Sequence, residues 1–172
     1  MTGRRAGRAD APAIARLVNA AYRIAESHFI RGDRIEVSEV ELLLARGWFL
    51  LFERSGALEG SVYVEDRGDH GYIGLVSVDP ALQRSGHGRA LMTAAEQSLR
   101  DLGRPRVELV VVSLRTELPP WYGKQGYREV GTRPFPPHAP NTQPCHYIVM
   151  SKRLPSRETS VPRARDSGAA TG

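Results

Sequence analysis

Hydrophobic residues recur with two different periods along the chain, and each period predicts one type of element. A 3.6-residue period indicates an amphipathic helix, whereas a two-residue period or a short apolar run between turn residues indicates a strand. The helical period predicts four helices, over about residues 11–26, 38–46, 90–102 and 117–124. The strand patterns predict six strands, over residues 48–53, 58–65, 72–78, 107–112, 127–130 and 145–151.

Two of the predicted helices begin at capping signals. Asp10 precedes Ala11 and Pro12, and an acid followed by a proline in the first turn is typical of a helix N-terminus. Ser38, followed three residues later by Glu41, has the form of a capping box. The glycine at position 47 then predicts the end of the short second helix.

The order of the elements predicts the fold class. The three strands between residues 48 and 78 are joined by short polar turns, which indicates an antiparallel meander. The third helix lies between two strands, which indicates a strand–helix–strand unit. We therefore expect a mixed α/β (α+β) domain built around a central sheet.

Three segments fall outside the regular patterns. Residues 1–10 are basic and carry almost no apolar side chains. Residues 131–144 contain five prolines and are expected not to pair regularly, because proline lacks the N–H donor. From residue 155 onward the composition turns to Ser, Arg, Pro, Gly and Ala, which predicts a disordered basic tail. The folded domain is expected over residues 11–154.

Composition excludes several classes of protein. The chain has 172 residues, enough for one domain with a sizeable core. Its apolar runs are far shorter than the ~18 residues of a membrane span, and its arginine-rich start lacks the apolar part of a signal peptide. The single cysteine, Cys145, allows no intramolecular disulfide and no cysteine-based zinc site, and is expected to be a small buried strand residue. These limits predict a cytoplasmic enzyme or binding domain without metal or membrane.

The positive charge lies at the two ends of the chain. The formal net charge is +5, of which residues 1–10 contribute +2 and residues 152–172 contribute +3. The segment between them is therefore neutral overall. A nucleic-acid-binding face needs its charge on the folded body, so we expect no nucleic-acid partner.

One loop has the chemistry of an anion site. Residues 83–88 read Gln83-Arg84-Ser85-Gly86-His87-Gly88 and precede the third helix. The first N–H groups of a helix are unpaired, its dipole adds positive charge there, and glycines let an anion approach the backbone. The loop lacks the Gly-Lys-Ser/Thr of a Walker loop and the third glycine of a dinucleotide fingerprint. Taken alone, the loop is better explained as a plain turn before a helix than as an anion site.

Two motifs together identify a family. Residues 75–91 (LVSVDPALQRSGHGRAL) combine a strand ending in Val-x-Pro with Gln-x-x-Gly-x-Gly and a helix. Residues 121–127 (WYGKQGY) follow the next strand and match the pattern Tyr-x-Lys/Arg-x-Gly-Phe/Tyr. In this order the motifs resemble the GNAT superfamily of acetyl-CoA-dependent N-acetyltransferases, over about residues 11–151. The resemblance implies a mostly antiparallel sheet flanked by helices, with two strands splayed apart at the acyl-CoA site.

The resemblance also implies roles for individual residues. Acetyl-CoA would be the co-substrate, with its pyrophosphate on the backbone N–H groups of the glycine loop and its pantetheine arm along the strand before it. An N–H near Val78 would polarise the thioester carbonyl. Tyr122 would protonate the leaving thiolate, and packing against the cofactor is the alternative role for its ring. The implied cofactor-binding residues are Val76, Val78, Gln83, Arg84, Ser85, Gly86, His87, Gly88 and Arg89.

The sequence departs from the family pattern in three places. The strand over residues 72–78 carries no glutamate, where relatives often place the general base, and the base stays unassigned among Glu26, His28, Glu65, His70 and Glu108. Residues 113–116 read Ser-Leu-Arg-Thr, where the family often has an asparagine. The family also begins with a strand. In this chain the first ten residues hold almost nothing apolar, so we expect that strand to be weak or missing.

The acceptor site is expected where the family places it, between the loop after the first helix and the proline-rich loop. The residues that could line it are Tyr22, His28, Phe29, Phe135 and His138. They are not strongly acidic, so a polycationic acceptor is not indicated.

These observations predict an N-acetyltransferase that transfers the acetyl group of acetyl-CoA directly to a small-molecule primary amine in a ternary complex. A protein or peptide acceptor and a non-catalytic acyl-CoA-binding module remain alternatives. The sequence leaves a homodimer open.

Overall fold

Seven strands and four α-helices make up the described part of the chain. The computed structural model describes residues 2–136 and 141–155. The strands are β1 Thr2–Arg5, β2 Trp48–Arg54, β3 Ala57–Asp66, β4 Gly71–Val78, β5 Arg106–Val112, β6 Arg128–Pro134 and β7 His146–Arg153. The helices are α1 Ala11–Glu26, α2 Val37–Arg46, α3 His87–Asp101 and α4 Leu118–Gly123. His138 and, apart from Pro155, the predicted tail lie outside the described residues. Within the described ranges, each helix is too short or too polar to cross a membrane.

The strands form one mixed sheet, as predicted. Its order is β1-β2-β3-β4-β5-β7-β6. All neighbours are antiparallel except β4 and β5, which are parallel and are joined through α3. The predicted meander of β2, β3 and β4 and the predicted strand–helix–strand unit are both confirmed.

The sheet separates two hydrophobic clusters. On one face, α1 and α2 pack against it through buried residues such as Ile14, Val18 and Val40. On the other face, α3 packs through residues such as Leu91 and Leu99. Successive side chains of β3 point to opposite faces of the sheet, so this strand contributes to both clusters. Tyr63 belongs to the first cluster, whereas Val62 and Val64 belong to the second.

The first strand is present, which corrects the expectation for residues 1–10. β1 pairs antiparallel with β2 over four residues. Its arginines take the place of apolar side chains: Arg4 contacts Glu53 at 2.7 Å and Asp10 at 2.8 Å, and the guanidinium of Arg5 lies 4.3 Å from the centre of the Trp48 ring. An edge strand needs little apolar character, because long charged side chains can cover its neighbour with their stems.

The contact between Arg4 and Asp10 gives a prediction about acid stability. Hydrogen bonding to Arg4, opposed by partial burial, lowers the pKa of Asp10 below its ordinary value. A lowered folded-state pKa stabilises the fold above the unfolded pKa of about 3.9, and this contribution is lost as pH falls through the folded value. We expect Asp10→Asn to lower the free energy of unfolding by up to about 1 kcal/mol at pH 7 and by almost nothing near pH 2.

Urea denaturation at both pH values measures this difference. Asp33→Asn is the matched control, because Asp33 forms a more exposed pair with Arg23 at 2.9 Å. An Asp10→Asn effect that is independent of pH would contradict the assigned role of the carboxylate.

Three local predictions are wrong. The capping pair of α2 is Glu36 and Glu39: the backbone N–H of Glu36 donates to the carboxylate of Glu39 at 2.8 Å. The helix therefore begins before Ser38. Residues 131–134 pair regularly with β7, because β6 is an edge strand and its proline stands at the last position. Cys145 is half-buried and precedes β7 instead of lying within it.

Candidate active site

A gap between β4 and β5 opens the sheet at its centre. The two strands pair only at Gly71 with Val107 and at Tyr72 with Glu108. Beyond these pairs β4 carries an extra residue relative to β3, and Leu75 adopts a positive φ of 48° at this bulge. A bulge bends and twists a strand away from its regular course. The predicted splaying of two strands is therefore present, and the β5-facing edge of β4 beyond Tyr72 is open.

A long groove leads from this gap to the start of α3. Its volume is about 660 Å³. We define the groove by its lining residues, which come from α1, β4, the glycine loop, α3, α4 and the loop before α4: Ala21, Tyr22, Ala25, Val76, Val78, Gln83, Arg84, Gly86, Gly88, Arg89, Arg115, Glu117, Leu118, Trp121 and Tyr122. Seven of the nine residues predicted to bind the cofactor thus line one groove.

The glycine loop presents a helix N-terminus to the groove. Arg84 and Gly86 both have positive φ, 66° and 89°, and Gly86 stands directly before the first residue of α3. The first helical hydrogen bond runs from the Ala90 N–H to the Gly86 carbonyl at 3.1 Å. The N–H groups of residues 87–89 precede that bond, so they are free of intrahelical partners and carry the positive end of the helix dipole.

Two predicted cofactor residues, Ser85 and His87, turn their side chains away from the groove. The Ser85 hydroxyl contacts the Leu82 carbonyl and the Nδ1 of His87. The other ring nitrogen of His87 lies 3.2 Å from Glu59, which also pairs with Arg54 at 3.0 Å. The side chains of Ser85 and His87 thus anchor the loop to its neighbours outside the groove. Only the backbone N–H groups of these two residues remain for a ligand. Glu59 was not predicted, because nothing in the sequence places it beside the loop.

Tyr122 lies where the groove meets the gap between the strands. It is 8% exposed and packs edge-on against Trp121 and Tyr127, at centroid distances of 4.7 Å and 5.7 Å. Burial raises the pKa of the Tyr122 hydroxyl well above its ordinary value. The phenol therefore stays protonated throughout the neutral range and can donate a proton.

A smaller cavity lies inside the gap itself. Its volume is about 110 Å³. We call it the inner cavity and define it by β4 residues 72–76, β5 residues 109–112 and the side chains of Tyr22, Glu26, Arg34, Arg115, Leu118, Tyr122 and Tyr147. The sequence pointed to Tyr22 and Glu26, but Arg34 and Arg115 were missed because loop arginines resemble ordinary surface residues.

The predicted acceptor residues are divided between the cavity and its surroundings. Tyr22 lines both the groove and the inner cavity, and burial raises its pKa to about 12. His28 is exposed. Phe29 and Phe135 are buried with Ile30 and Val112 in a separate cluster, so they connect the loop after α1 to the end of β6 and line neither space.

Among the five candidate bases, only Glu26 lines the inner cavity. Glu65 accepts a hydrogen bond from Tyr63 at 2.9 Å and pairs with Arg46 and Arg67. His70 and Glu108 form one surface network with three charged neighbours, Asp69, Arg106 and Arg133. Glu26 is 3% exposed, and its burial raises its pKa against the opposing effect of two arginines.

The fold and site define a class of enzyme, and the family comparison agrees. Residues 14–127 match the Acetyltransferase (GNAT) family. The chain belongs to this family and is an acyltransferase, in agreement with the resemblance seen in its two motifs. The family uses acetyl-CoA as acyl donor and amines as acceptors. No curated protein sequence matches the chain significantly.

Solved structures share the fold at low sequence identity. The ribosomal-protein-S18-alanine N-acetyltransferase from Escherichia coli is 18% identical, with a TM-score of 0.73 over 93% of this chain and 97% of that one. Ard1 from Thermoplasma volcanium is 19% identical, with a TM-score of 0.73 over 90% and 98%. An N-acetylglutamate synthase from Neisseria gonorrhoeae, solved with coenzyme A and N-acetyl-glutamate, is 20% identical with a TM-score of 0.66, over 90% of this chain and 35% of that one.

Proposed function

We propose that the protein transfers the acetyl group of acetyl-CoA to the primary amine of a small molecule. The observation that carries this proposal is the continuous groove from the N-terminus of α3, along the open edge of β4, to the protonated phenol of Tyr122. A pyrophosphate at one end and a thioester at the other match the chemistry of these two ends.

The loop holds the anionic part of the donor. The backbone N–H groups of residues 84–89 receive the pyrophosphate oxygens, and the guanidinium groups of Arg84 and Arg89 on the groove wall add charge-assisted contacts. The side chains of Ser85 and His87 keep the loop in this conformation through Glu59. Binding therefore depends on backbone geometry more than on any one side chain.

The open edge of β4 orients the reactive end. Backbone groups of Val76 and Val78, which β5 does not reach, pair with the pantetheine amides as a neighbouring strand would. An N–H near Val78 polarises the thioester carbonyl. When bound, acetyl-CoA supplies an activated acyl group with a thiolate leaving group, and the Tyr122 hydroxyl gives that sulfur its proton.

The size of the inner cavity favours a small acceptor. A cavity of this measure needs about 10–15 Å³ to hold one water molecule, so about 110 Å³ has room for several waters or for the head group of a small amine. A protein or peptide acceptor would have to present its terminal residue through the same space.

Acetyl-CoA is expected to stabilise the protein saturably. A ligand at 100 times its dissociation constant adds about 2.7 kcal/mol to the free energy of unfolding, which for a chain of this size raises the melting temperature by about 5–10 °C. Differential scanning fluorimetry over a series of acetyl-CoA concentrations measures the shift. No shift at millimolar acetyl-CoA would contradict the proposed groove occupant.

A thiol-release assay with a library of amines then separates an enzyme from a non-catalytic acyl-CoA-binding module. We expect release of free coenzyme A that depends on the amine. If acetyl-CoA stabilises the protein but no amine in the library causes release of free coenzyme A, the binding module would be favoured.

A further inference from the structure

Three charged side chains line the inner cavity on the proposed acceptor side, and we call them the charged wall: Glu26, which is buried, and Arg34 and Arg115, which are half-buried. Two of them also line a second, outer space. The outer space is a depression of about 370 Å³ between α1 and the loop that follows it, which we call the outer depression. It shares Tyr22, Glu26 and Arg34 with the inner cavity. The inner cavity in turn shares Tyr22, Arg115 and Tyr122 with the groove. A molecule entering through the outer depression would therefore reach Tyr122 by way of the inner cavity.

Two atoms of this wall lack hydrogen-bond partners. Glu26 Oε2 and Arg34 Nε are both buried and unpartnered among the described residues. They lie 3.5 Å apart, close enough to attract but without hydrogen-bond geometry. One is an acceptor and the other is a donor. Unmet buried polar atoms are costly, so a ligand that offers both an N–H donor and an oxygen acceptor would satisfy the pair.

The two arginines of the charged wall share one buried carboxylate. Glu26 stands between two guanidinium groups, since Arg115 Nη1 donates to its Oε1 at 3.3 Å. Arg115 has a second carboxylate partner in Glu117, at 2.6 Å from Nε. Among the described residues Arg34 pairs with Glu26 alone, which it shares with Arg115, so an additional anion beside Arg34 would be attracted.

Aromatic rings hold one of the cations in place. The guanidinium of Arg34 lies 5.5 Å from the centre of the Tyr22 ring, and Tyr147 also contacts Arg34. The carboxylate of Glu26 is fixed at the end of α1 by Arg115. A site with a held cation and a held carboxylate is preorganised, so it gives up little conformational freedom when a ligand binds.

We infer that the acceptor is an amino-acid-type molecule, whose carboxylate is bound by Arg34 with Arg115 and whose amine is received by Glu26. This inference rests on the proposed acetyltransferase function and names the substrate class of that site. A carboxylate and an amine on one carbon atom fit the volume of about 110 Å³, with the remainder of the molecule in the outer depression.

The reaction balances with the residues present. Glu26 takes one proton from the ammonium group, and the free amine nitrogen forms a bond to the acetyl carbon. The bond between that carbon and sulfur breaks, and Tyr122 gives its proton to the sulfur. Tyr122 recovers a proton from the acetylated nitrogen, and Glu26 releases its proton to solvent. The products are the N-acetylated amino acid, free coenzyme A and one proton.

The wild-type protein tests the inference with pairs of acceptors. Each of the twenty amino acids is compared with the amine that lacks its α-carboxylate, at saturating acetyl-CoA, by thiol release. We expect kcat/KM for at least one amino acid to exceed that of its decarboxylated partner by tenfold or more. Equal or better turnover of the decarboxylated amines would overturn the inference but leave the proposed function standing. If no amine, with or without a carboxylate, causes thiol release, the proposed function itself would be contradicted.

A substitution at the wall adds an independent test. We expect Arg34→Gln to raise KM for the preferred amino acid tenfold or more, while kcat/KM for its decarboxylated partner changes less than threefold. Arg16→Gln, the loss of an exposed arginine on α1, is the matched control and should change neither. An equal loss for both acceptors would show that Arg34 does not bind the carboxylate. If Arg34→Gln does not fold, Arg34→Lys, which keeps the charge, takes its place in the same comparison.

Discussion

Replacing Tyr122 by phenylalanine is expected to lower kcat about 100-fold while KM for acetyl-CoA changes no more than about twofold. General acid catalysis contributes about 10²- to 10⁴-fold, and a 100-fold loss corresponds to about 2.7 kcal/mol of transition-state stabilisation. The ring of Tyr122 makes the packing contacts with Trp121 and Tyr127, and phenylalanine retains that ring. Only the hydroxyl, whose raised pKa keeps it protonated, is removed.

Tyr127→Phe is the matched control for this experiment. Tyr127 is buried in the same motif, and its hydroxyl donates to Glu96 at 3.0 Å, away from the groove. Its loss should lower the free energy of unfolding by about 1–3 kcal/mol and leave kcat nearly unchanged. If Tyr122→Phe instead lowers kcat and cofactor affinity by the same factor, the side chain serves packing and the general-acid role is wrong.

Replacing Gly86 by valine is expected to raise KM for acetyl-CoA about tenfold or more. Gly86 has a φ of 89°, and left-handed backbone costs a residue with a side chain about 1–2 kcal/mol. A Cβ added at this position meets no atom within 4 Å, so the new side chain would stand in the groove. The loop either stays strained and obstructed or relaxes and misplaces its N–H groups. Both outcomes weaken pyrophosphate binding, and a tenfold loss is about 1.4 kcal/mol.

Gly103→Val separates backbone strain from loss of the site. Gly103 follows α3 with a φ of 72°, and a Cβ added there also meets no atom within 4 Å. Both variants should therefore lose similar stability in thermal unfolding. Only Gly86→Val should lose acetyl-CoA stabilisation and raise KM for the donor. A shared loss of donor affinity would indicate a general effect of destabilisation and would contradict the assignment of the loop.

The conformation of the glycine loop was largely predictable because its signals are local. The glycine loop needs two glycines, a preceding strand and a following helix, and all of these lie within residues 75–91. The positive φ of Gly86 and the start of α3 at His87 follow from that short segment. The side-chain directions of Ser85 and His87 were not predictable, because their partner Glu59 belongs to a distant strand.

Two of the errors, those on the first strand and on the end of β6, share one cause. The first strand and the end of β6 look unsuitable when judged by apolar content and proline alone. Both are edge strands of the sheet, where one side is free and such residues are tolerated. Whether a strand lies at an edge is a property of the sheet order, which the spacing of residues along the chain does not contain.

The sequence by itself determined the family and indicated its donor and the motif tyrosine, because the motif residues that carry these signals lie close together in the chain. Only the tertiary structure brought together the charged side chains of the proposed acceptor side. Glu26, Arg34 and Arg115 come from the end of a helix, a loop and the segment after a strand, and they meet where β4 and β5 separate. Each of them resembles a solvated charge in sequence. Burial and mutual distance turn them into a charged wall, because the strength of an ion pair depends on the surrounding medium and on separation in space.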